Sequence, residues 1–308
     1  MGAAAAIDCG TNSTRLLIAD GLGATIERQM RITRLGEGVD AHGRLSEEAI
    51  ARTVSVLRDF HEIMRRFTVS RARLVATSAV RDAANRSEFM DAAAEAAGLE
   101  PELLTGIEEG RLSLAGAVTD LDPTSGPFLV VDIGGGSTEL VAGDGPDDPD
   151  LDAVSLQLGC VRITERFLHS DPPTPAELEE AEAVVAHSLD RAAVEHSRLL
   201  TARRLVGLAG SVSTLAALRL GIREYDRFRI HHAVLTTRDV DDWYRTLSSE
   251  IAAARLDRAG MVPGREDVIV GGAMMLVAVM RRFGFEECLV SESDILDGMV
   301  AGLLGDVA

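Results

Sequence analysis

The feature that most constrains the fold is a short pattern that occurs twice, about one domain length apart. Residues 8–17 read DCGTNSTRLL and residues 132–141 read DIGGGSTELV, so both copies contain Asp-x-Gly-x-x-Ser-Thr-x-Leu. Each copy follows a short apolar run and leads into a second one, which predicts two β-strands joined by a glycine turn. A repeat at this separation predicts that one domain has been duplicated.

The chain length and the composition agree with two domains. The 308 residues exceed one ordinary core and fit two domains of roughly 100–200 residues each. The sequence is 46% hydrophobic but contains only 8 Phe, 2 Tyr and 1 Trp, which favours cores of small aliphatic side chains in α/β layers. A turn-rich segment at 121–127 predicts the boundary. The expected domains are therefore 1–120 and 121–308, with a last helix that could return to the first domain.

The net charge, the apolar pattern and the cysteines restrict the binding partners and the cellular compartment. A net charge of −18 argues against nucleic acid as a partner, although backbone N–H groups and a few Arg side chains can still bind phosphate. The first residues lack the pattern of a signal peptide, so we expect none, and no apolar run is long enough to span a membrane. The three cysteines are far apart and odd in number, which favours a reducing compartment. We expect a cytoplasmic protein, and a homodimer is compatible with the sequence.

Three helix starts are predicted from local signals. Ser46 and Ser87 each precede a helical pattern and are expected to cap it. The segment from Thr174 to Glu177 has the form of a capping box, with Pro175 at the first helical position. These helices separate the predicted strands, as the α/β reading requires.

The two repeated turns have the chemistry of phosphate-binding loops. Glycine lets the backbone approach a ligand and direct its N–H groups inward, and Ser, Thr and Asn add further donors. An aspartate before each turn, Asp8 or Asp132, would repel phosphate unless a divalent cation lay between them. The candidate phosphate-binding residues are Gly10, Thr11, Asn12 and Ser13 in the first turn and Gly134, Gly135, Gly136 and Ser137 in the second.

A third phosphate candidate lies at residues 207–214, which read GLAGSVST. The pattern predicts a strand, a glycine loop and then a helix, whose N-terminal N–H groups attract anions. Gly210 and Ser211 are the candidate residues. The alternative is a plain glycine turn in which Ser211 caps the helix.

Three further motifs carry a family resemblance: residues 76–83 read ATSAVRDA, residues 105–112 read TGIEEGRL, and residues 131–140 read VDIGGGSTEL. In their order and spacing, the segments at 8–17, 132–140, 207–218 and 291–303 resemble the acetate and sugar kinase, heat-shock ATPase and actin superfamily. More narrowly, the chain resembles the exopolyphosphatase/guanosine pentaphosphate phosphohydrolase (Ppx/GppA) family. The likeness covers nearly the whole chain, which looks like the short, two-domain form.

The resemblance implies a fold and an activity. The fold would be two ribonuclease-H-like, actin-type α/β domains with an interdomain cleft. The activity would be hydrolysis of phosphoanhydride bonds with Mg²⁺, or Mn²⁺ in its place. The first expectation is an exopolyphosphatase that releases orthophosphate from inorganic polyphosphate.

The resemblance also implies roles for individual residues. Glu109 corresponds to the catalytic base, and Asp132 and Glu139 act on metal and water. Arg81 contacts phosphate. At the repeat position of Glu139 the first copy has Arg15, a further phosphate-binding candidate, which places a cation on one hairpin and a carboxylate on the other. Asp8 is the further metal candidate, and Asn85 is a further phosphate candidate.

Several alternatives remain open at this stage. The same motifs serve removal of the 5′ phosphate from guanosine pentaphosphate, an alarmone of the stringent response. A sensor that binds polyphosphate or alarmone without turnover is another reading, and an ATP-dependent kinase of the wider superfamily is disfavoured by the motifs at 76–83 and 105–112. His231 and His232 are predicted to lie on a strand and to point to opposite faces, so they would not share a metal ion. His231 is expected to be structural or to line the cleft.

Overall fold

The computed structural model describes residues 2–305, so Met1 and residues 306–308 of the predicted domain ranges lie outside the described residues. The chain forms two compact units. The first unit contains the residues up to Gly116 together with those from Ile295 onward, and the second contains Ala117–Asp294. The predicted domain limits, 1–120 and 121–308, stay predictions beside this division.

The secondary structure alternates between strands and helices. The strands are β1 (Ala4–Cys9), β2 (Ser13–Ala19), β3 (Thr25–Ile32), β4 (Arg71–Ala76), β5 (Pro101–Leu103), β6 (Phe128–Ile133), β7 (Thr138–Gly143), β8 (Asp152–Leu156), β9 (Arg204–Leu208), β10 (Val234–Thr236) and β11 (Glu287–Val290). The helices are α1 (Val39–His42), α2 (Glu47–Arg66), α3 (Ser78–Asp82), α4 (Arg86–Ala97), α5 (Gly106–Val118), α6 (Cys160–Phe167), α7 (Pro175–Glu195), α8 (Ala209–Leu220), α9 (Arg227–Ile230), α10 (Thr237–Ser248), α11 (Ala252–Leu256), α12 (Ile269–Phe283) and α13 (Ile295–Gly305).

The first unit is a sheet covered on both faces. Its strand order is β3-β2-β1-β4-β5, with β1 antiparallel to β2 and parallel to β4. Alternate residues of β1 enter different cores because successive side chains point to opposite faces. Ala5 and Ile7 pack in the core that contains Phe60 of α2 and Phe89 of α4. Ala6 packs in the other core, to which α13 contributes.

The second unit repeats this arrangement. Its sheet has the order β10-β11-β9-β6-β7-β8, with β6 antiparallel to β7 and parallel to β9. The series β8-β7-β6-β9-β11 therefore matches β3-β2-β1-β4-β5, with β10 added at the edge. This is the strand order of ribonuclease-H-like, actin-type domains, so the predicted fold of the individual domains and both predicted hairpins are confirmed.

The local helix signals were mostly correct. The Ser46 hydroxyl accepts a hydrogen bond from the backbone of α2, and Thr174 forms the predicted capping box at the start of α7. The prediction for Ser87 was wrong, because the N-cap residue is Asn85 and α4 begins at Arg86. The Asn85 side chain exchanges hydrogen bonds with the backbone of Leu45, and this long-range contact positions the helix start. Within residues 2–305, no helix is long and apolar enough to cross a membrane.

Candidate active site

The turn between β6 and β7 is hydrogen-bonded to the start of α6. The N–H of Cys160 donates to Gly134 O at 2.9 Å, and the N–H of Val161 donates to Gly135 O at 2.9 Å. The side chain of Arg162 completes the set, since its Nε donates to Gly136 O at 2.8 Å. Three consecutive carbonyl groups of the turn are therefore directed towards α6.

The hydrogen bonds to α6 determine the direction in which the backbone N–H groups of the turn point. In a planar trans peptide, the N–H of each residue is directed opposite to the preceding carbonyl. Because the carbonyl groups of 134–136 point to α6, the N–H groups of Gly135, Gly136 and Ser137 point away from it. Successive N–H groups on one side of a turn form an anion-binding nest. The geometry therefore supports the phosphate-binding prediction for this turn.

Glycine at one position of each turn lets the two ends of that turn approach each other closely. A Cβ on Gly134 would lie 3.0 Å from Ser137 O, and a Cβ on Gly10 of the first hairpin would lie 3.1 Å from Ser13 O. The two turns thus have the same tight geometry at equivalent positions. Gly159, which precedes α6, is more constrained still. A Cβ there would lie 2.3 Å from Gly135 O and 2.6 Å from Gly134 O, so only glycine lets α6 approach the turn.

Two carboxylates face each other beside the second turn. Asp132 and Glu139 are paired across β6 and β7, and both residues are buried. The Ser155 hydroxyl donates to Glu139 Oε1 at 2.7 Å, which fixes the orientation of that carboxylate. Carboxylate oxygens at neighbouring positions are the donor set that Mg²⁺ prefers. The residues present therefore fit a divalent cation.

The first hairpin carries a different pair at the same positions. Asp8 and Arg15 are paired across β1 and β2, and Arg15 donates to Asp8 Oδ2 through Nη2 at 2.6 Å and through Nε at 3.1 Å. The guanidinium supplies next to Asp8 the positive charge that the sequence argument had assigned to a metal ion. The hairpin of the first unit therefore contains an aspartate paired with an arginine, whereas the hairpin of the second unit contains two carboxylates at the same positions.

The adjacent glutamates 108 and 109 have different environments. Glu108 and Thr105 form a reciprocal cap at the start of α5, with Thr105 N donating to Glu108 Oε2 at 2.8 Å and Glu108 N donating to Thr105 Oγ1 at 3.2 Å. The hydrogen bonds from the backbone and side chain of Thr105 lower the pKa of Glu108. Glu109 does not take part in this cap. Its side chain is only 12% exposed, and its Oε2 accepts from Arg81 Nη1 at 3.2 Å.

Arg81 holds Glu109 from a rigid support. Its Nη1 also donates to Leu104 O at 2.7 Å, and it belongs to the short helix α3 that follows β4. Two of the three motifs that carry the family resemblance, at 76–83 and 105–112, therefore meet within the first unit at the ion pair of Arg81 and Glu109. Asn85 is less suited to a ligand, because its amide is engaged with Leu45 and Glu88.

The third phosphate candidate differs from its sequence pattern. Strand β9 leads directly into α8 without a loop, and Leu208 occupies the N-cap position, so the alternative in which Ser211 caps the helix is wrong. Ser211 is buried and lies against Gly272, where an added Cβ would be 2.2 Å from its Oγ. At Gly210 an added Cβ would be 1.6 Å from Arg265 Nη1. A buried guanidinium thus covers the start of α8.

Arg162 and Arg265 were missed by the sequence reasoning. Neither belongs to the repeat or to a motif with a recognisable spacing. The available signal was weak: Arg162 follows Gly159 by three residues, and Arg265 follows a Pro-Gly turn at 263–264. Both residues reach glycines that are distant in sequence, and a single sequence does not reveal such contacts.

The prediction for His231 and His232 was partly wrong. They follow α9 in a turn rather than on a strand, His232 has a φ of 63°, and their rings stack at 3.8 Å. Both rings approach Asp120 Oδ2, His231 through Nε2 at 2.7 Å and His232 through Nε2 at 3.6 Å. The three side chains form the candidate metal cluster of the described residues.

Hydrogen bonding disfavours a metal ion at this cluster. The backbone N–H of Glu292 donates to His231 Nδ1 at 3.0 Å, so in the neutral ring the proton is on Nε2 and is donated to Asp120. A metal ion needs an unprotonated nitrogen, and neither nitrogen of His231 offers one in this arrangement. His231 is instead a structural link between Asp120 and the segment at Glu292.

Each unit has the actin-type fold, and the hairpin turns, the facing carboxylates and the Arg-held glutamate are groups that suit a protein acting on phosphate. Residues 17–306 match the Ppx/GppA phosphatase family, and the chain belongs to that family. It is 44% identical to Exopolyphosphatase 2 of Mycobacterium tuberculosis, over 98% of each chain.

Solved structures agree with this assignment. An exopolyphosphatase-like protein superposes with a TM-score of 0.93 at 37% identity, with 99% of this chain and 100% of that chain covered. A Ppx/GppA family member from Aquifex aeolicus superposes with a TM-score of 0.82 at 32% identity, with 100% and 99% covered.

Proposed function

We propose that the protein is an exopolyphosphatase, which hydrolyses the terminal phosphoanhydride bond of inorganic polyphosphate and releases orthophosphate. The observation that carries the proposal is the hairpin of the second unit. There, N–H groups that suit a phosphoryl group lie in the turn next to Asp132 and Glu139, which suit a divalent cation. The likeness to the exopolyphosphatase of Mycobacterium tuberculosis supports the same substrate class.

In the proposed reaction, the residues position water and phosphate. Glu109 accepts a proton from the attacking water, and Arg81 fixes the carboxylate of Glu109 through Nη1. Within the second unit, the N–H groups of Gly135, Gly136 and Ser137 would donate to phosphate oxygens of the substrate. The water oxygen forms a bond to the terminal phosphorus while the bond to the bridging oxygen breaks. The products are orthophosphate and a polyphosphate chain that is shorter by one unit.

Asp132 and Glu139 would hold the divalent cation, for which we propose Mg²⁺, with Mn²⁺ as a substitute. When bound, such an ion supplies positive charge to the phosphate oxygens. Asp8 is the weaker candidate for a metal ligand, because Arg15 already donates to it twice. The first hairpin would bind phosphate through its turn, at 10–13.

The site recognises phosphoryl groups, and guanosine pentaphosphate presents the same terminal group as polyphosphate. This alarmone of the stringent response is therefore the second substrate to test, and a sensor that binds without turnover is the non-enzymatic alternative. The three buried free cysteines fit a reducing compartment, and we propose that the protein acts in the cytoplasm.

The test is orthophosphate release from short polyphosphate, long polyphosphate, guanosine pentaphosphate and ATP. The variants are Glu109→Gln and, as a matched control, Glu108→Gln, whose side chain belongs to the helix cap. We expect Glu109→Gln to lose about 10²-fold or more in rate, which is the contribution of a general base. Glu108→Gln should keep a rate within about threefold, since a cap acts on helix stability rather than on the reaction. EDTA should abolish release, and Mg²⁺ should restore it.

Each outcome has a distinct meaning. The substrate with the highest kcat/KM identifies the activity, and a preference for guanosine pentaphosphate would replace polyphosphate in the proposal. If Glu109→Gln released phosphate as fast as the wild type, Glu109 would not be the base. If the protein bound polyphosphate but released no phosphate from any substrate, the sensor alternative would hold.

A further inference from the structure

Three buried donor atoms near the shared edge of β1 and β4 make no hydrogen bond. They are Nδ2 of Asn12, Oγ of Ser78 and Nη2 of Arg81, and the statement covers partners among residues 2–305. Asn12 is 8% exposed and Ser78 is 2% exposed. Buried polar side-chain atoms in native proteins nearly always have a partner, because leaving them without one is unfavourable. Three such atoms in one region therefore indicate a ligand.

The three residues lie in adjacent segments of the unit. Strands β1 and β4 are parallel neighbours, so the turn after β1 and helix α3 after β4 begin at the same edge of the sheet. The N–H of Thr77 donates to Cys9 O across this edge. The residues next to Asn12 and Ser78 also meet, because a Cβ placed on Gly36 would lie 2.3 Å from Thr11 Cγ2 and 3.0 Å from Ala79 Cβ.

Within α3, Ser78 and Arg81 are three residues apart and so share one face of the helix. Arg81 uses Nη1 for Leu104 O and Glu109, while Nη2 is the buried atom without a partner. One guanidinium can therefore hold the glutamate through one nitrogen and a ligand through the other.

The donor set identifies the class of ligand. It combines an amide N–H, a hydroxyl group and a guanidinium, all of which donate to oxygen, and it includes a positive charge. Such a set suits an anion with several acceptor oxygens rather than a cation or an apolar group. We infer that Ser78 is a phosphate-binding residue of the protein, and that it adds a hydroxyl donor to the phosphoryl subsite that Asn12 and Arg81 are already expected to form in the first unit.

This inference rests on the proposed function for the identity of the substrate, but the subsite itself can be tested with orthophosphate alone. Ser78 would contribute one hydrogen bond to a phosphoryl oxygen from a short helix that follows a buried strand. Because Arg81 also holds Glu109, occupation of the subsite would place a phosphoryl group on the guanidinium that orients the proposed base.

The experiment compares Ser78→Ala with Ser248→Ala. Ser248 is also buried, but its hydroxyl donates to Arg245 O within α10, so it controls for the loss of a buried hydroxyl elsewhere. The measurements are the affinity for orthophosphate by calorimetry, the KM and kcat for tripolyphosphate, and the Tm without ligand. We expect Ser78→Ala to weaken orthophosphate binding and to raise KM, each by about tenfold, as for a lost hydrogen bond to a charged group.

The Tm separates a binding role from a structural one. The ligand-free Tm of Ser78→Ala should equal or exceed that of the wild type, because no hydrogen bond within the protein is lost. The inference is overturned if orthophosphate affinity and KM stay within twofold of the wild type, or if they change only together with a lower Tm. Weaker orthophosphate binding in a protein that hydrolyses no substrate would keep the subsite and reject the proposed function. If the protein hydrolysed polyphosphate and Ser78→Ala left this hydrolysis unaffected, the proposed function would hold and the subsite would be rejected.

Discussion

Replacing Gly159 by alanine tests whether α6 sets the phosphate-binding turn. The new Cβ would lie 2.3 Å from Gly135 O, 2.4 Å from Gly135 C and 2.6 Å from Gly134 O. Non-bonded carbon and oxygen atoms need roughly 3.3 Å, close to the distance of best contact. Either the turn or α6 must therefore move by about 1 Å, which would break the 2.9 Å hydrogen bond from Cys160 N to Gly134 O.

The expected loss follows from that displacement. A misplacement of about 1 Å in a group that positions the substrate costs about 10²-fold in rate. Overpacking of this kind lowers the free energy of unfolding by about 1–3 kcal/mol, which leaves the protein folded at room temperature. We expect Gly159→Ala to lower kcat/KM for tripolyphosphate about 10²-fold while its circular dichroism spectrum at 20 °C stays that of the wild type.

The assay is orthophosphate release under initial-rate conditions, with thermal unfolding measured on the same samples. Gly145→Ala is the matched control, because it makes the same substitution in the same unit at a position with no atom within 4 Å of the new Cβ. Its kcat/KM should stay within twofold. A Gly159→Ala protein with normal kcat/KM and a lowered Tm would show that α6 supports the fold but does not set the turn, and the reasoning would be refuted.

Two further predictions concern stability. Gly298→Ala would place a Cβ 2.1 Å from Leu112 O and should lower the free energy of unfolding by about 1–3 kcal/mol. Gly302→Ala on the same helix meets no atom within 4 Å and should raise the free energy of unfolding by up to about 1 kcal/mol. Equal urea midpoints for the two variants would contradict this prediction. The backbone hydrogen bond from Thr174 is the main cause that lowers the pKa of Glu177 from 4.5 to about 2. The ionised Glu177 side chain therefore stabilises the folded protein fully above pH 4.5, and this stabilisation is lost as the pH falls towards 2. The difference in urea midpoint between wild type and Glu177→Gln should shrink across that window, and a difference independent of pH would exclude the cap as its source.

The repeat was sufficient to predict the two hairpins and their equivalence. Because side chains alternate along a strand and the turns have equal length, the match between the copies also aligned Arg15 with Glu139. The structure pairs these residues with Asp8 and Asp132 at equivalent register positions. The sequence did not predict that Arg15 would neutralise Asp8, because the strand pairing that joins them was not deduced residue by residue.

The rest of the site depends on contacts between distant segments. Arg162 reaches the turn at 134–136 from another helix, and Arg265 covers Gly210 from a loop that precedes α12. His231 and His232 were assigned to a strand, but a backbone with positive φ at His232 brings both rings together. Periodicity reports the immediate environment of a residue, and these contacts are decided by tertiary packing.

The division of the first unit into two stretches of chain affects how the protein is made. During synthesis, Ala117–Asp294 is complete before the residues of α13 leave the ribosome, and this continuous stretch contains its own core. Domains generally fold as units during synthesis. The apolar face that Leu17 presents is covered by Leu296 and Met299, so it stays uncovered until α13 has been made. The first unit to begin synthesis is thus the last to be completed, and until then this apolar face remains exposed to solvent.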